Sequence, residues 1–229
     1  MRYARQRMLS EIGDTGQEKL SHASVLIVGV GGLGSPIALY LAGAGVGRIG
    51  VIDADVVSLS NLQRQVLYRE EMLGQNKATC AAQQLRALNS SIKIDAYPYR
   101  LDAENAQAII STYDIVVDGT DNFATRYLID DCCIALNKVY IYGAIGEFEG
   151  MVSVFNYNGK HSYRDLYPDQ AAMLALPSPS KAVLGVTPGL VGCAEANEVI
   201  KVICGFGEVL SGKLWTIDLV TMQSLVILL

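Results

Sequence analysis

The sequence contains no C-x-x-C pair, no uninterrupted apolar run long enough to cross a bilayer and no excess of basic residues. Each absence removes a class of function. The five cysteines, Cys80, Cys132, Cys133, Cys193 and Cys204, are odd in number and unpaired in spacing, which argues against a disulfide framework. They read as core residues of helical segments. The apolar region from Val25 to Ile52 is cut by glycines and closes on Asp53, so no membrane span is expected. The opening Met1-Arg2-Tyr3-Ala4-Arg5-Gln6-Arg7 is basic, but the apolar segment of a signal peptide does not follow, and a cytoplasmic location is expected. A formal net charge of −5 leaves no electrostatic footprint for nucleic acid. There is no internal repeat and no low-complexity tract.

What is present is a glycine loop between a strand and a helix. Val25-Leu26-Ile27-Val28 is a short β-branched run, Gly29, Gly31, Gly32 and Gly34 follow at close spacing, and Pro36 to Ala42 reads as a buried helix. Glycine serves where backbone must turn tightly and lie against a phosphate, and the N–H groups of the new helix then receive the anion. Asp53 closes the next apolar run, Ile49 to Ile52, at the distance expected of a residue that binds a ribose hydroxyl. The loop and Asp53 alone serve a dinucleotide as well as ATP.

The same alternation continues. Helical patterns at 76–88, 103–110 and 122–136 lead into strands at 92–96, 114–117 and 139–144. Strands alternating with helices imply parallel pairing and right-handed crossovers, hence a Rossmann-like, doubly wound α/β sheet. Its ligand is expected beyond the C-terminal strand ends, where Gly29 to Gly34, Asp53 and Gly119 to Asn122 fall. After this core of about 20–150, Glu149 to Tyr157 alternates like an exposed or edge strand. Residues 161–181, polar and rich in proline, are expected to form a long crossover loop, mobile when no partner is bound. Within 183–229, Val186 to Cys204 reads as a helix, and Lys213 to Asp218 and Gln223 to Leu229 as a closing antiparallel pair. A single domain over 1–229 is expected.

The charges near the loop bear on the nucleotide. A triphosphate needs cations, and its Mg²⁺ needs a carboxylate; Arg64, Lys77 and Asp121 are residues of those types at strand ends. For any isolated Arg or Lys a solvated surface charge is the default reading; beside a glycine loop the set favours a functional one.

Gly29-Val30-Gly31-Gly32-Leu33-Gly34-Ser35, Asp53-Ala54-Asp55, Asn61-Leu62-Gln63-Arg64-Gln65, Lys77 and Thr120-Asp121-Asn122 together resemble the E1-like adenylyltransferases of the ThiF, MoeB and HesA type. Arg2-Tyr3-Ala4-Arg5-Gln6 and Leu184 to Gly192 extend the resemblance over nearly the whole chain, in order. The resemblance implies an enzyme that uses Mg·ATP to adenylate the C-terminal Gly-Gly carboxylate of a ubiquitin-like sulfur carrier, as in thiamine or molybdopterin synthesis, with release of pyrophosphate. It implies that Asp53 holds the ribose, with Asp55, Gln65 and Asn122 also lining the nucleotide site. Asn61, Arg64 and Lys77 would meet the phosphates, Asp121 would position Mg²⁺, and Arg5 would reach the triphosphate of the other subunit of a homodimer. The attacking carboxylate is already ionised, so no general base is needed; neither His22 nor His161 is assigned a role. Alternatives are an E1-like enzyme acting on a tRNA base or a peptide, an NAD-dependent oxidoreductase, and a non-catalytic nucleotide-binding scaffold.

The chain departs from that pattern twice. Ser162 and Asp165 stand where many bacterial members carry the first of two zinc-binding cysteine pairs, so no structural zinc is expected. Ser178 stands near the position of the cysteine used by members that form a thioester or persulfide.

Overall fold

A computed structural model describes residues 2–177, 180 and 182–229. One sheet runs through the molecule: β1 (Ser24–Val28), β2 (Arg48–Ile52), β3 (Lys93–Tyr97), β4 (Ile115–Asp118), β5 (Val139–Ile145), β6 (Glu149–Phe155), β7 (Lys213–Asp218) and β8 (Gln223–Leu228), in the order β3-β2-β1-β4-β5-β6-β7-β8. The first five strands pair in parallel, the last three antiparallel. The helices are α1 (Ala4–Arg7), α2 (Gly13–His22), α3 (Gly34–Ala44), α4 (Lys77–Leu88), α5 (Ala106–Ile110), α6 (Phe123–Ala135), α7 (Tyr163–Leu166), α8 (Gln170–Ala175) and α9 (Val186–Cys204).

The parallel strands are near-continuous runs of Val, Ile and Leu because both sheet faces are covered. One core, around Ile27, Val51, Ile37, Leu41 and Val199, lies under α3, α4 and α9. The other, rich in Tyr113, Tyr127, Tyr140, Tyr142, Phe155 and Tyr163, lies under α5, α6 and α7. α3 is apolar on nearly all sides and correspondingly buried, and it ends where Gly45 takes the left-handed conformation at φ 85°. α9 carries Pro188 in its first turn, where no N–H is missed, and ends at Gly205 with φ 78°. Strand order reverses between β1 and β4, which opens a crevice beyond their C-terminal ends.

Two expectations are corrected. The strand at 149–155 is not an edge: β5 flanks it on one side and β7 on the other, and most of it is buried. Its alternating pattern misled because the covering hairpin β7–β8 arrives some sixty residues later. The crossover region is not one long loop. Ser162 and Asp165 form a reciprocal capping box that starts α7, and Asp169 caps α8 by accepting the Ala172 N–H at 2.9 Å. Tyr163 is fully buried among Tyr127, Tyr142, Phe155 and Tyr167, and the Asp130 carboxylate accepts its N–H at 2.9 Å. α8 buries none of its residues. Ser178 lies outside the described residues.

Candidate nucleotide-binding site

The glycines of the loop divide into two kinds. Gly29 has φ +84°, and a methyl there would stand 2.7 Å from the Gly119 carbonyl oxygen; a methyl on Gly34 would strike the Gly29 carbonyl. These two are required by backbone packing across the crevice. Gly31 and Gly32 face a cradle instead. A methyl on Gly31 would lie 3.4 Å from Nε2 of Gln65, and one on Gly32 would lie 3.1 Å from Pro188 and 3.7 Å from Cδ of Arg64. The loop, the Arg64-Gln65 turn and the start of α9 therefore meet at one place, at the positive end of α3.

The wall beside β2 is tied to the loop. Asp53 accepts the Val30 N–H and the Asp55 N–H, each at 2.9 Å. Burial pushes its carboxyl above the ordinary carboxylate value, while those two amides and Lys77 pull it back. Tyr68 donates to the Val30 carbonyl at 2.7 Å. Asn76 donates to the carbonyls of Asp53 and Asp55 at 3.0 and 3.2 Å, and caps α4 by accepting the Thr79 N–H at 3.1 Å. Lys77, the first residue of α4, is almost wholly buried and meets exposed Asp55 at 3.0 Å.

Asn61 ends a short 3₁₀ turn (Leu59–Asn61) and closes a capping box with Ser58. Its carbonyl accepts the N–H groups of Arg64 and Gln65 at 3.0 and 2.9 Å, which aims both side chains at the loop. Arg64 donates to the Ser60 carbonyl at 3.1 Å. Gln65 is buried, with Nε2 the atom nearest Gly31 and with an Oε1 that has no hydrogen-bond partner.

The third wall follows β4. Asp118, fully buried, accepts the N–H and hydroxyl of Thr120 at 2.8 and 2.6 Å, Nε of Arg126 at 3.1 Å and the Tyr140 hydroxyl at 2.9 Å. Arg126 returns to the Thr120 carbonyl at 2.9 Å. Asn122 caps α6 by accepting the Thr125 N–H at 2.9 Å. Asp121 is exposed and makes no hydrogen bond or ion pair among the described residues. The sequence reading missed Asp118, Arg126 and Tyr140. Its one available signal was polarity out of place: an Asp ending an apolar strand, and an Arg one turn inside an apolar helix.

Gly29 to Gly34, Asp53, Asp55, Asn61, Arg64, Gln65, Lys77, Asp121 and Asn122 thus converge on one crevice, whereas Arg5 does not. Gln6, its neighbour on α1, donates to the Ala44 carbonyl at 3.1 Å, so α1 sits at the far end of α3. Eleven residues of helix put that end about 16 Å from Gly34. Beside the crevice an apolar cavity of about 780 Å³ is lined by Gln63, Val66, Leu184, Val186, Leu190 and Cys193. Among the described residues, no helix is long and apolar enough to cross a membrane, and no cluster of three His, Cys, Asp or Glu side chains could hold a metal ion by itself.

The chain is similar in sequence and in fold to known proteins. The chain is 48% identical over 218 residues to "Adenylyltransferase and sulfurtransferase MOCS3-1" of Zea mays, covering 95% of this chain and 47% of that protein. It is 47% identical over 223 residues to "Sulfur carrier protein adenylyltransferase" of Thermus thermophilus, covering 95% of this chain and 82% of that one. Among solved structures, E. coli MccB with ATP superposes with a TM-score of 0.86 at 25% identity, over 99% of this chain and 71% of that chain. The chain thus spans about half the length of the maize relative and most of the Thermus one. Residues 3–228 match the model of the ThiF family, and the chain belongs to that family.

Proposed function

We propose that this chain is an ATP-dependent adenylyltransferase that activates the C-terminal carboxylate of a ubiquitin-like sulfur carrier ending in Gly-Gly. The observation that carries this reading is the glycine cradle ringed by Arg64, Lys77 and the unpartnered Asp121, in a chain 47% identical to a sulfur carrier protein adenylyltransferase. A dinucleotide oxidoreductase has no use for that set of charges.

The residues fit Mg·ATP. The cradle of Gly31 and Gly32 admits phosphate oxygens against backbone, and the α3 N-terminus favours their charge. Asp53 uses each oxygen once, leaving acceptor capacity for ribose hydroxyls. Gln65 supplies the orphaned acceptor, and Asn61 and Asn122 line the same space while capping their turns. Arg64 and Lys77 neutralise the triphosphate; Lys77 would exchange part of its pairing with Asp55 for phosphate. Magnesium binds through one or two carboxylates plus substrate phosphates, which suits a lone exposed Asp121, and when bound it supplies charge neutralisation at the phosphate oxygens.

Adenylation then needs positioning rather than proton transfer. The ionised carboxylate of the carrier tail forms a bond to the α-phosphorus as the bond to pyrophosphate breaks, and the cations stabilise the charge that develops. Arg5 stands too far from its own cradle to take part there. We assign it to the cradle of a second copy, seated on the apolar face of Val66, Leu184 and Val186 beside the crevice. The pathway, thiamine or molybdopterin, follows from the carrier's identity.

ATP–pyrophosphate exchange tests the reading, with and without carriers ending in Gly-Gly. Exchange that requires the carrier supports it. No exchange with any carrier, together with tight NADH binding, overturns it in favour of the oxidoreductase.

A further inference from the structure

Arg126 faces two elements at once. On one side its guanidinium holds Asp118 at 3.1 Å and the Thr120 carbonyl at 2.9 Å, fixing the turn that leads into Asp121. On the other it lies 5.4 Å from the ring centroid of Tyr142 and 6.0 Å from that of Phe123. Tyr163 of α7 packs on Tyr142 at 5.2 Å between centroids, and its buried hydroxyl lies in the field of the same cation. α7 is held there by Asp130 at 2.9 Å and by the Tyr127 hydroxyl, which donates to the Tyr167 carbonyl at 2.8 Å. A buried arginine is tolerable only while every face is paired or packed against aromatic rings. Withdrawal of Tyr163 would admit water to the guanidinium and weaken its hold on Thr120.

Resting on the adenylation reading, we propose that Arg126 is a positioning residue that couples the Thr120–Asp121 turn to Tyr163, so that docking of α7 and presentation of the Asp121 carboxylate are one event. A simple buried ion pair would hold the fold without making this link.

Calorimetric titration of ATP with and without Mg²⁺ distinguishes the two, and needs no carrier. Arg126→Lys and Tyr163→Ala are expected to lower the Mg²⁺-dependent part of ATP affinity about tenfold or more, the scale of one lost charge-assisted hydrogen bond. Affinity without Mg²⁺ should stay within about twofold. Hydrogen exchange at the Thr120 and Asp121 amides should accelerate in both variants. Should Arg126→Lys fail to fold, the double variant Asp118→Asn/Arg126→Met removes both buried charges together and is expected to fold with the same loss. Variants with a lowered Tm but unchanged Mg²⁺ dependence and unchanged exchange would overturn the coupling. If the unaltered protein binds no Mg·ATP, the adenylation reading itself falls.

Discussion

Gly29 and Gly119 meet backbone to backbone where the strand order reverses, and neither leaves the other room for a side chain. Gly29→Ala combines that clash with a left-handed backbone at φ +84° and is expected to cost a few kcal/mol and to abolish ATP binding. Gly43, exposed in α3 with nothing within 4 Å of a new methyl, is the contrast. Gly43→Ala is expected to stabilise by about 0.5–1 kcal/mol. Urea unfolding of the two variants checks both signs; a neutral Gly29→Ala would refute the packing argument.

Asp121 predicts a separation of stability from activity. Exposed and unpartnered, it can be removed with a stability change within about 0.5 kcal/mol. Asp121→Ala should nevertheless lower carrier-dependent exchange by about 100-fold or more, because charge stabilisation at the phosphates is lost. Thermal unfolding and exchange rates on the same sample decide it, and retained exchange would remove Asp121 from the metal site.

Arg5 predicts complementation between inactive subunits. In a mixture of Arg5→Ala and Asp121→Ala chains, a mixed dimer holds one site with intact Asp121 and intact partner Arg5. Random reassortment should therefore restore about a quarter of the activity of the unaltered protein. An arginine acting within its own subunit would restore none.

Glu195 predicts a pH dependence. It is fully buried in α9 against Gly143, and neither carboxyl oxygen has a hydrogen-bond partner. Burial, then the charge of Asp118, push its pKa well above the ordinary value, against the pull of Arg126. The folded state therefore holds the proton more tightly than the unfolded one. Stability from this group is complete below about pH 4.3, the unfolded value, and is lost as pH rises toward the folded one. Glu195→Gln should match the parent near pH 4 and gain on it steadily above. Urea midpoints across pH read the slope; parallel curves would show that folding does not shift the pKa of Glu195.

Much of this was legible in the sequence because the signals were local. A β-branched run, a glycine loop and an apolar helix identify β1 and α3 without reference to anything distant. Gly31, Gly32, Asp53 and Asp121 could be placed for the same reason: the parallel strands bring their C-terminal ends to one edge of the sheet. α1 and α2 went unread because α2 is polar on most faces and buries chiefly Gly16, Gln17 and Leu20. α7 went unread because its burial depends on tyrosines brought from α6 and β5, and the Asp118–Arg126–Tyr140 network for the same cause. Ser162 and Asp165, expected only as absent metal ligands, instead cap a helix.

The length of α3 has a consequence for regulation. With the glycine loop at one end of α3 and α1 docked at the other, the proposed completion of the site by a second copy would make turnover depend on how many chains find each other. Specific activity would fall on dilution below the dissociation constant of the pair, and any modification that separates the copies would silence the chemistry without touching a nucleotide contact.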